Sequence, residues 1–519
     1  GGSDRTIYCP SSVASSADVN EGVLPPKDDT FGPAAIVREV LTAPDVPKGV
    51  DRYDTVGGHT GGIWRSRVIG FLPSTVVASP VGTKWLAHEE ALGKAVATWP
   101  ASAIQLLGAK SVVNLARMPE AHKSVRKVLS VAFSPKGVVE LQPIVESSLE
   151  KRVLRWEELA ESGEEVKFLD DIREFTIDTM VCCFLGDYAT EEVTEDIARI
   201  MPSISAGVLS IPRRFPWPLN RLPALGFGRA MRARNEFLGV LERVLRERRD
   251  DMASAVDCKG SRSAGLLDTF LTMQRQQMDN GGPEDGQAMV DDGFIVDILL
   301  TCVFAGYDTT SVTIARTLQM LGSAEGAHVV DKVLQELGEA NLATGNYSDR
   351  TTRAGGKQAP GIFGAYPLLN AVMLESFRLY PAVAGVFRQA IQDLTFNGFQ
   401  IPAGTTIVWN LSQGFRAQSL YPEPEKFCPF RFFHGAKSKD DLARATPVGI
   451  EQPPPELFGF GKHMCPGREL AKLEILLFLK TFLSKFEYDL VEGQSFKSTL
   501  PTSAPKDGVR VVLKAKSVS

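Results

Sequence analysis

Phe458-Gly459-Phe460-Gly461-Lys462-His463-Met464-Cys465-Pro466-Gly467 runs straight into the helical pattern Arg468-Glu469-Leu470-Ala471-Lys472-Leu473-Glu474. One cysteine sits in a loop punctuated by glycines, which allow backbone turns that other residues resist. The spacing predicts Cys465 close to a helix N-terminus, where backbone N–H groups and the macrodipole favour a thiolate. A structural cysteine needs none of this setting, so Cys465 reads as a metal ligand.

The other cysteines, at 9, 182, 183, 258, 302 and 428, are scattered without paired spacing. No CxxC occurs, which excludes zinc ribbons and thioredoxin-like sites and fits a reducing compartment. Cys302, in an apolar run, is expected to be a packed thiol. A lone thiolate in a loop of this kind suits the axial position of haem iron, where it pushes electron density toward O–O cleavage.

The 519 residues are 44% hydrophobic and 23% charged, enough for a large core, and the net charge of −5 gives no sign of a nucleic-acid partner. Residues 1–35, rich in Ser, Gly, Pro and Asp, read as a flexible leader, with 36–519 as one domain. The chain opens Gly-Gly-Ser without Met, which leaves room for an anchor or targeting peptide ahead of it. Residues 62–80 carry strand-like runs, and the pattern is helical from about Glu120 to about Arg249. A proline-free apolar run, Phe294–Leu321, predicts a long buried helix. Helices are expected over 366–380 and 468–486, a small hairpin over 394–404, and an exposed insertion over 344–365. The fold class is therefore mainly α, with a small β-rich N-terminal portion.

Two further clusters stand out. Glu375 and Arg378, three apart, share a helix face and can pair. Ala305-Gly306-Tyr307-Asp308-Thr309-Thr310 breaks the apolar helix with polar groups, whose burial is costly without partners or a task.

These motifs resemble those of the cytochrome P-450 family. The loop matches the family's haem signature, Phe-x-x-Gly-x-(Arg or His)-x-Cys-x-Gly, at every fixed position, Phe458 included. Ala305–Thr310 resembles the family's oxygen-activation block, and Glu375-Ser376-Phe377-Arg378 its ExxR, which in the family joins an Arg from a later segment, here Pro429-Phe430-Arg431-Phe432. The family more often has an acid where Phe430 stands. The resemblance implies the P-450 fold, haem b (iron protoporphyrin IX) held by Cys465, and propionates gripped by Arg126, Arg388 and His463. His122 replaces the usual Trp four residues before Arg126. It also implies Thr309 as the hydrogen-bond partner of dioxygen and Asp308 as a proton relay, with Glu375, Arg378 and Arg431 as a structural network.

Cys465-Pro466-Gly467-Arg468-Glu469-Leu470-Ala471 is similar to the branch with plant steroid- and terpenoid-hormone hydroxylases and retinoic acid hydroxylases. The implied activity is hydroxylation of a lipophilic isoprenoid with dioxygen, with a haem-thiolate isomerase or dehydratase and a non-catalytic haem sensor or carrier as alternatives. The resemblance implies electrons from a separate NADPH-dependent reductase or ferredoxin, met through Lys462, Arg468 and Lys472. It implies a pocket lined by the stretches 95–115 and 200–232, in which Ala101, Ile104, Leu106 and Leu107, with Val208, Leu209 and Ile211, are mostly apolar. Peripheral membrane contact is expected through Arg213–Pro218, at the cytosolic face of the endoplasmic reticulum or in the plastid.

Overall fold

Asp291 starts the longest helix, accepting a hydrogen bond from the Phe294 N–H at 2.8 Å. The helix then runs for 30 residues, Asp292–Leu321, about 45 Å at 1.5 Å per residue. It is apolar on nearly every face, which calls for burial on every face. Of the helices described, it alone is long and apolar enough to cross a membrane, but 72% of its most apolar window is buried inside the protein. It is a core helix, as the sequence predicted.

The structure is a computed structural model and describes residues 62–68, 72–116, 118–208, 226–254, 265–283, 290–343, 365–418, 420–432, 455–498 and 502–516. The leader 1–35, the segment Arg213–Pro218, Leu209 and Ile211, and all but the last residue of 344–365 lie outside them.

In chain order the elements begin with β1 (Ile63–Val68), β2 (Leu72–Val77), α1 (Pro80–Ala91), β3 (Ala95–Thr98), α2 (Ala101–Leu107) and α3 (Val112–Leu115). The helical middle follows as α4 (Pro119–Ala132), α5 (Pro135–Ser162), β4 (Glu165–Lys167), α6 (Phe168–Leu185), α7 (Glu191–Val208), α8 (Gly226–Ala253) and α9 (Leu266–Asp279). The long helix is α10, followed by α11 (Ala327–Ala343), α12 (Pro367–Leu379), β5 (Gly385–Ala390), β6 (Leu394–Phe396), β7 (Phe399–Ile401), β8 (Thr406–Asn410) and α13 (Leu411–Gly414). The chain closes with α14 (Arg468–Lys485), β9 (Phe486–Leu490) and β10 (Arg510–Ala515).

α6, α12 and α14 pack against α10, so the core is helix on helix. Trp156 of α5 anchors one end, its ring 5.1 Å from Phe478 and 5.4 Å from Phe482 on α14. The β6–β7 hairpin turns on Asn397-Gly398, with φ of 49° and 78°. Asn-Gly is the pair suited to a two-residue turn with both φ positive.

The sheet is less local than the sequence suggested. Its order is β1-β2-β8-β5-β3, so two strands beyond residue 380 complete the N-terminal ones. β2 pairs with β8 in parallel, Val76 opposite Val408, and β5 pairs antiparallel with β3, Arg388 opposite Ala97. This interleaving carries Arg388 to the rim of the helical core.

Candidate active site

The Cys465 loop folds back on itself through a hydrogen bond from the Cys465 N–H to the Phe458 carbonyl, 2.8 Å long. Gly459 and Gly461 have φ of 79° and 58°, conformations that favour glycine. Gly467 then starts α14. The Phe458 ring packs edge-on against Phe377 of α12, centroids 5.1 Å apart. Cys465 is exposed, and the space it faces is a cavity of about 340 Å³.

Enclosure of the loop pushes the Cys465 thiol above its usual value, although the Gly467 N–H, Arg126 and Arg468 pull it down. Desolvation of the anion outweighs the helix start and both cations. A bound metal cation would reverse this, since a coordinating thiol is deprotonated outright.

α10 contributes Thr309, Thr310 and Thr313 to the lining of the same cavity. His122, Arg126, Arg388 and His463 also line it. The His122 and His463 rings lie 4.8 Å apart. Burial, then Arg126 and Lys462, lower His122 to about 4. Burial, then His122, Arg388, Lys462 and Arg126, lower His463 to about 3. Both rings are therefore neutral at physiological pH. Arg388 pairs with Glu90 of α1 at 2.8 Å, while Arg126 makes no hydrogen bond or ion pair among the described residues. His463 Nε2 and Glu90 Oε1 stand 3.3 Å apart, yet neither has a hydrogen-bonded partner.

Thr309 and Asp308, adjacent in sequence, face different ways. Thr309 lines the cavity and donates to the Ala305 carbonyl at 2.6 Å. Asp308 does not reach it. Its carboxylate is buried on the far side, bonded to Arg173 of α6 (2.8 Å), Ser205 of α7 (3.0 Å) and Thr502 (3.0 Å). The anticipated relay position is thus occupied by an ion pair.

Glu375, Arg378 and Arg431 come together. Glu375 accepts from Arg378 Nε at 2.8 Å and Nη2 at 2.9 Å, and its Oε1 also accepts from Arg431 Nε (3.0 Å) and the Cys428 N–H (2.9 Å). Arg378 donates onward to the carbonyls of Phe415 and Pro424. Phe430, in place of an acid, is buried under Lys332, 4.7 Å from its ring centre.

A family model, Cytochrome P450, matches residues 86–517. The chain belongs to the cytochrome P-450 family. It is 29% identical over 465 residues to a taxoid 14-beta-hydroxylase of Taxus cuspidata, with 88% of this chain and 81% of that protein covered. It is 25% identical to abscisic acid 8'-hydroxylase 1 of Arabidopsis thaliana, with 88% and 84% covered. A solved structure of a cyanobacterial cytochrome P-450 with retinoic acid bound superposes with a TM-score of 0.71 at 25% identity, with 95% of this chain and all of that one covered.

The chain is accordingly a monooxygenase of the cytochrome P-450 kind, an oxidoreductase that uses haem and receives electrons from a redox partner. The residues present fit that cofactor. A flat apolar ring with two carboxylates asks for a thiol on one face, open space on the other, and cations at one edge. The cavity lining supplies the thiol of Cys465, threonines of α10, a large apolar surface, and an Arg126 that has no ion-pair partner among the described residues.

Two sequence expectations about this P-450 sharpen. The stretch 95–115 does line the cavity, through Ala97, Thr98, Trp99, Val112 and Val113, with Ala116 beside it. Its middle, 101–107, does not; Ala103 and Leu106 pack on Val208, Phe227 and Ala230. Of the three cations assigned to the redox partner, Arg468 and Lys472 are held by Glu469, at 2.9 and 3.6 Å.

Sequence reasoning missed Glu474. It is fully buried between Ala471 and Ile475, both cavity-lining, and neither carboxyl oxygen has a hydrogen-bond partner. Burial holds its acid well above the usual carboxylate range, against a small pull from the Thr310 hydroxyl. Above about pH 4.5 the unfolded chain releases this proton while the folded chain keeps it, so stability falls as pH rises. Glu474→Gln is therefore expected to raise the melting temperature by a few degrees at about pH 8 and by little at about pH 4. Equal melting temperatures at the higher pH would show that Glu474 is not held protonated.

Proposed function

We propose that this P-450 hydroxylates an isoprenoid-type lipophile, with Cys465 as the iron ligand and Thr309 as the group that steadies a proton beside the reacting oxygen. One observation carries the substrate class: beside the neighbouring group His122, His463, Arg126 and Arg388, the lining is dominated by apolar side chains such as Ala97, Val112, Val113, Ala116, Val383 and Leu411. Relatives named for a taxoid, abscisic acid and retinoic acid support the same class.

Bound haem supplies the activation of dioxygen and the insertion of one of its atoms into a C–H bond. The chain supplies the rest. Arg126, Arg388, His122 and His463 would hold the carboxylates and fix the ring's orientation. The largely apolar wall excludes bulk water and offers few polar groups to hold a hydrophilic molecule. Thr309 Oγ1, now bonded within α10, would turn to hold an ordered water or proton at the cavity. Asp308 would deliver protons only on leaving Arg173, so that ion pair sets how readily it serves. Electrons would come from a separate NADPH-dependent reductase or a ferredoxin; the partner would meet the Cys465 side through Lys462, with Arg468 and Lys472 available only in competition with Glu469. Contact with a membrane surface, at the endoplasmic reticulum or in the plastid, belongs to the same proposal and rests on the apolar substrate and the sequence 213–218.

The test is a panel of binding difference spectra with retinoic acid, abscisic acid, a taxane, a sterol and a long-chain fatty acid. At least one isoprenoid is expected to perturb the haem spectrum at micromolar concentration; a response to the fatty acid alone would overturn the substrate class. With the binding compound, Thr309→Ala should keep consuming reductant while product per electron falls and free hydrogen peroxide rises, because proton delivery is worth about 10²–10⁴-fold. Unchanged coupling would remove Thr309 from this role and favour an isomerase. No turnover of any bound compound with a reductase would favour a sensor.

A further inference from the structure

The cavity wall at Val112, Val113 and Ala116 belongs to a segment with little regular structure of its own. α3 is a single turn of four residues, and the chain before it passes through Gly108 at φ 92°. What holds this segment is side chains from two distant helices. Arg234 of α8 donates from Nε to the Leu106 carbonyl and from Nη2 to Asp297 of α10, each at 2.8 Å. Asp297 Oδ2 accepts the Lys110 N–H at 3.0 Å. Gly108 lies so close to Asp297 that a Cβ there would stand 1.9 Å from Oδ1. Asn114 closes the loop from inside, donating to the carbonyls of Ile104 (3.0 Å) and Gly108 (2.6 Å).

This grip falls almost entirely on backbone atoms. It fixes where the wall stands without using the side chains that face the cavity. It also rests on one buried ion pair: the Arg234 and Asp297 side chains are 15% and 10% exposed. Losing either leaves the other buried and unpaired, and frees the loop's carbonyl or N–H in the same event.

We propose that Arg234 and Asp297 form a clamp that holds residues 106–116 closed over the cavity, and that a ligand enters and leaves when the clamp lets go. The two are positioning residues that govern admission and residence, and they take no part in bond-making. The clamp rests on the reading that the cavity receives a small lipophilic molecule, so the test has one readout that needs no ligand.

The full-chain, haem-loaded protein and its Arg234→Ala, Asp297→Ala and Asp297→Asn variants are compared by hydrogen exchange and by stopped-flow binding of 4-phenylimidazole. Arg243→Ala is the control, because Arg243 also lies on α8 but pairs at the surface with Glu192. Amides of 106–114 should exchange about ten-fold faster in Arg234→Ala and Asp297→Ala, the size expected for a lost charge-assisted hydrogen bond. Association and release of 4-phenylimidazole should both quicken by a similar factor. Asp297→Asn, which keeps an acceptor for Lys110, should fall between them and wild type, and the control should match wild type. Wild-type exchange in the alanine variants would overturn the clamp, as would exchange raised equally along α8 and α10. Faster exchange of 106–114 with unchanged ligand rates would overturn its role in admission. If 4-phenylimidazole fails to bind wild type, the reading of the cavity falls while exchange still decides the clamp.

Discussion

Reduced Cys465→Ala protein is expected to lose the red-shifted Soret band that the wild-type chain should give with carbon monoxide. Among the described residues, no other cysteine lines the cavity, so no second thiol can take its place. Cys302 is packed within the core and its thiol is pushed up to about 12 by burial and by Cys465. Burial, with Cys182 and Glu474 adding to it, holds Cys183 well above the usual thiol range. Cys428 is committed through its backbone to Glu375. The expected effect is all-or-none, because the band reports the thiolate ligand itself and not the amount of haem in the pocket. Haem should still enter the variant to a reduced extent, since Arg126 and the apolar walls are untouched. Retention of the band would remove Cys465 from the site and with it the orientation of the whole cavity.

Much of this architecture was legible because its signals are local. The hairpin over 394–404, the proline-free apolar run of α10 and the glycine-rich run into α14 each depend on consecutive residues. What was not legible depends on direction around a helix or on partners far along the chain. Thr309 and Asp308 were expected to work together because their block resembles the family's oxygen-activation motif. Neighbours on a helix point about 100° apart, so a Thr309 that faces the cavity turns Asp308 toward α6 and α7. Arg388 reaches Glu90 across 298 residues, and no pattern around either one announces the other. The stretch 95–115 was matched to the pocket as a whole, but the apolar side chains named within it, at 101–107, are not the ones that face the cavity. Those pack on α7 and α8, and 97–99 and 112–113 form the wall. Glu474 escaped notice because an acid on a mixed helix face looks solvated until the neighbouring helices are in place.

Arg378→Ala should yield protein that is haem-poor and prone to aggregate, with catalysis lost through assembly and not through chemistry. The Glu375 and Arg378 side chains are fully buried, and neither lines the cavity. Removing Arg378 leaves Glu375 with only Arg431 and the Cys428 N–H, and strips donors from the carbonyls of Phe415 and Pro424 in one step. Breaking a buried pair on one side costs about 3–5 kcal/mol, a large part of the stability of a typical domain. Those carbonyls belong to the stretch between β8 and the Cys465 loop, so the damage falls on the chain that leads to the haem ligand. Arg378→Lys should recover little, because an ammonium cannot reproduce the two parallel bonds to Glu375. The double variant Glu375→Gln/Arg378→Met should be less harmed than Arg378→Ala, since it removes both buried charges together. The measurements are haem content per mole of protein, soluble yield and urea midpoint for all three variants. Full haem content with a wild-type midpoint in Arg378→Ala would reduce the network to decoration on α12.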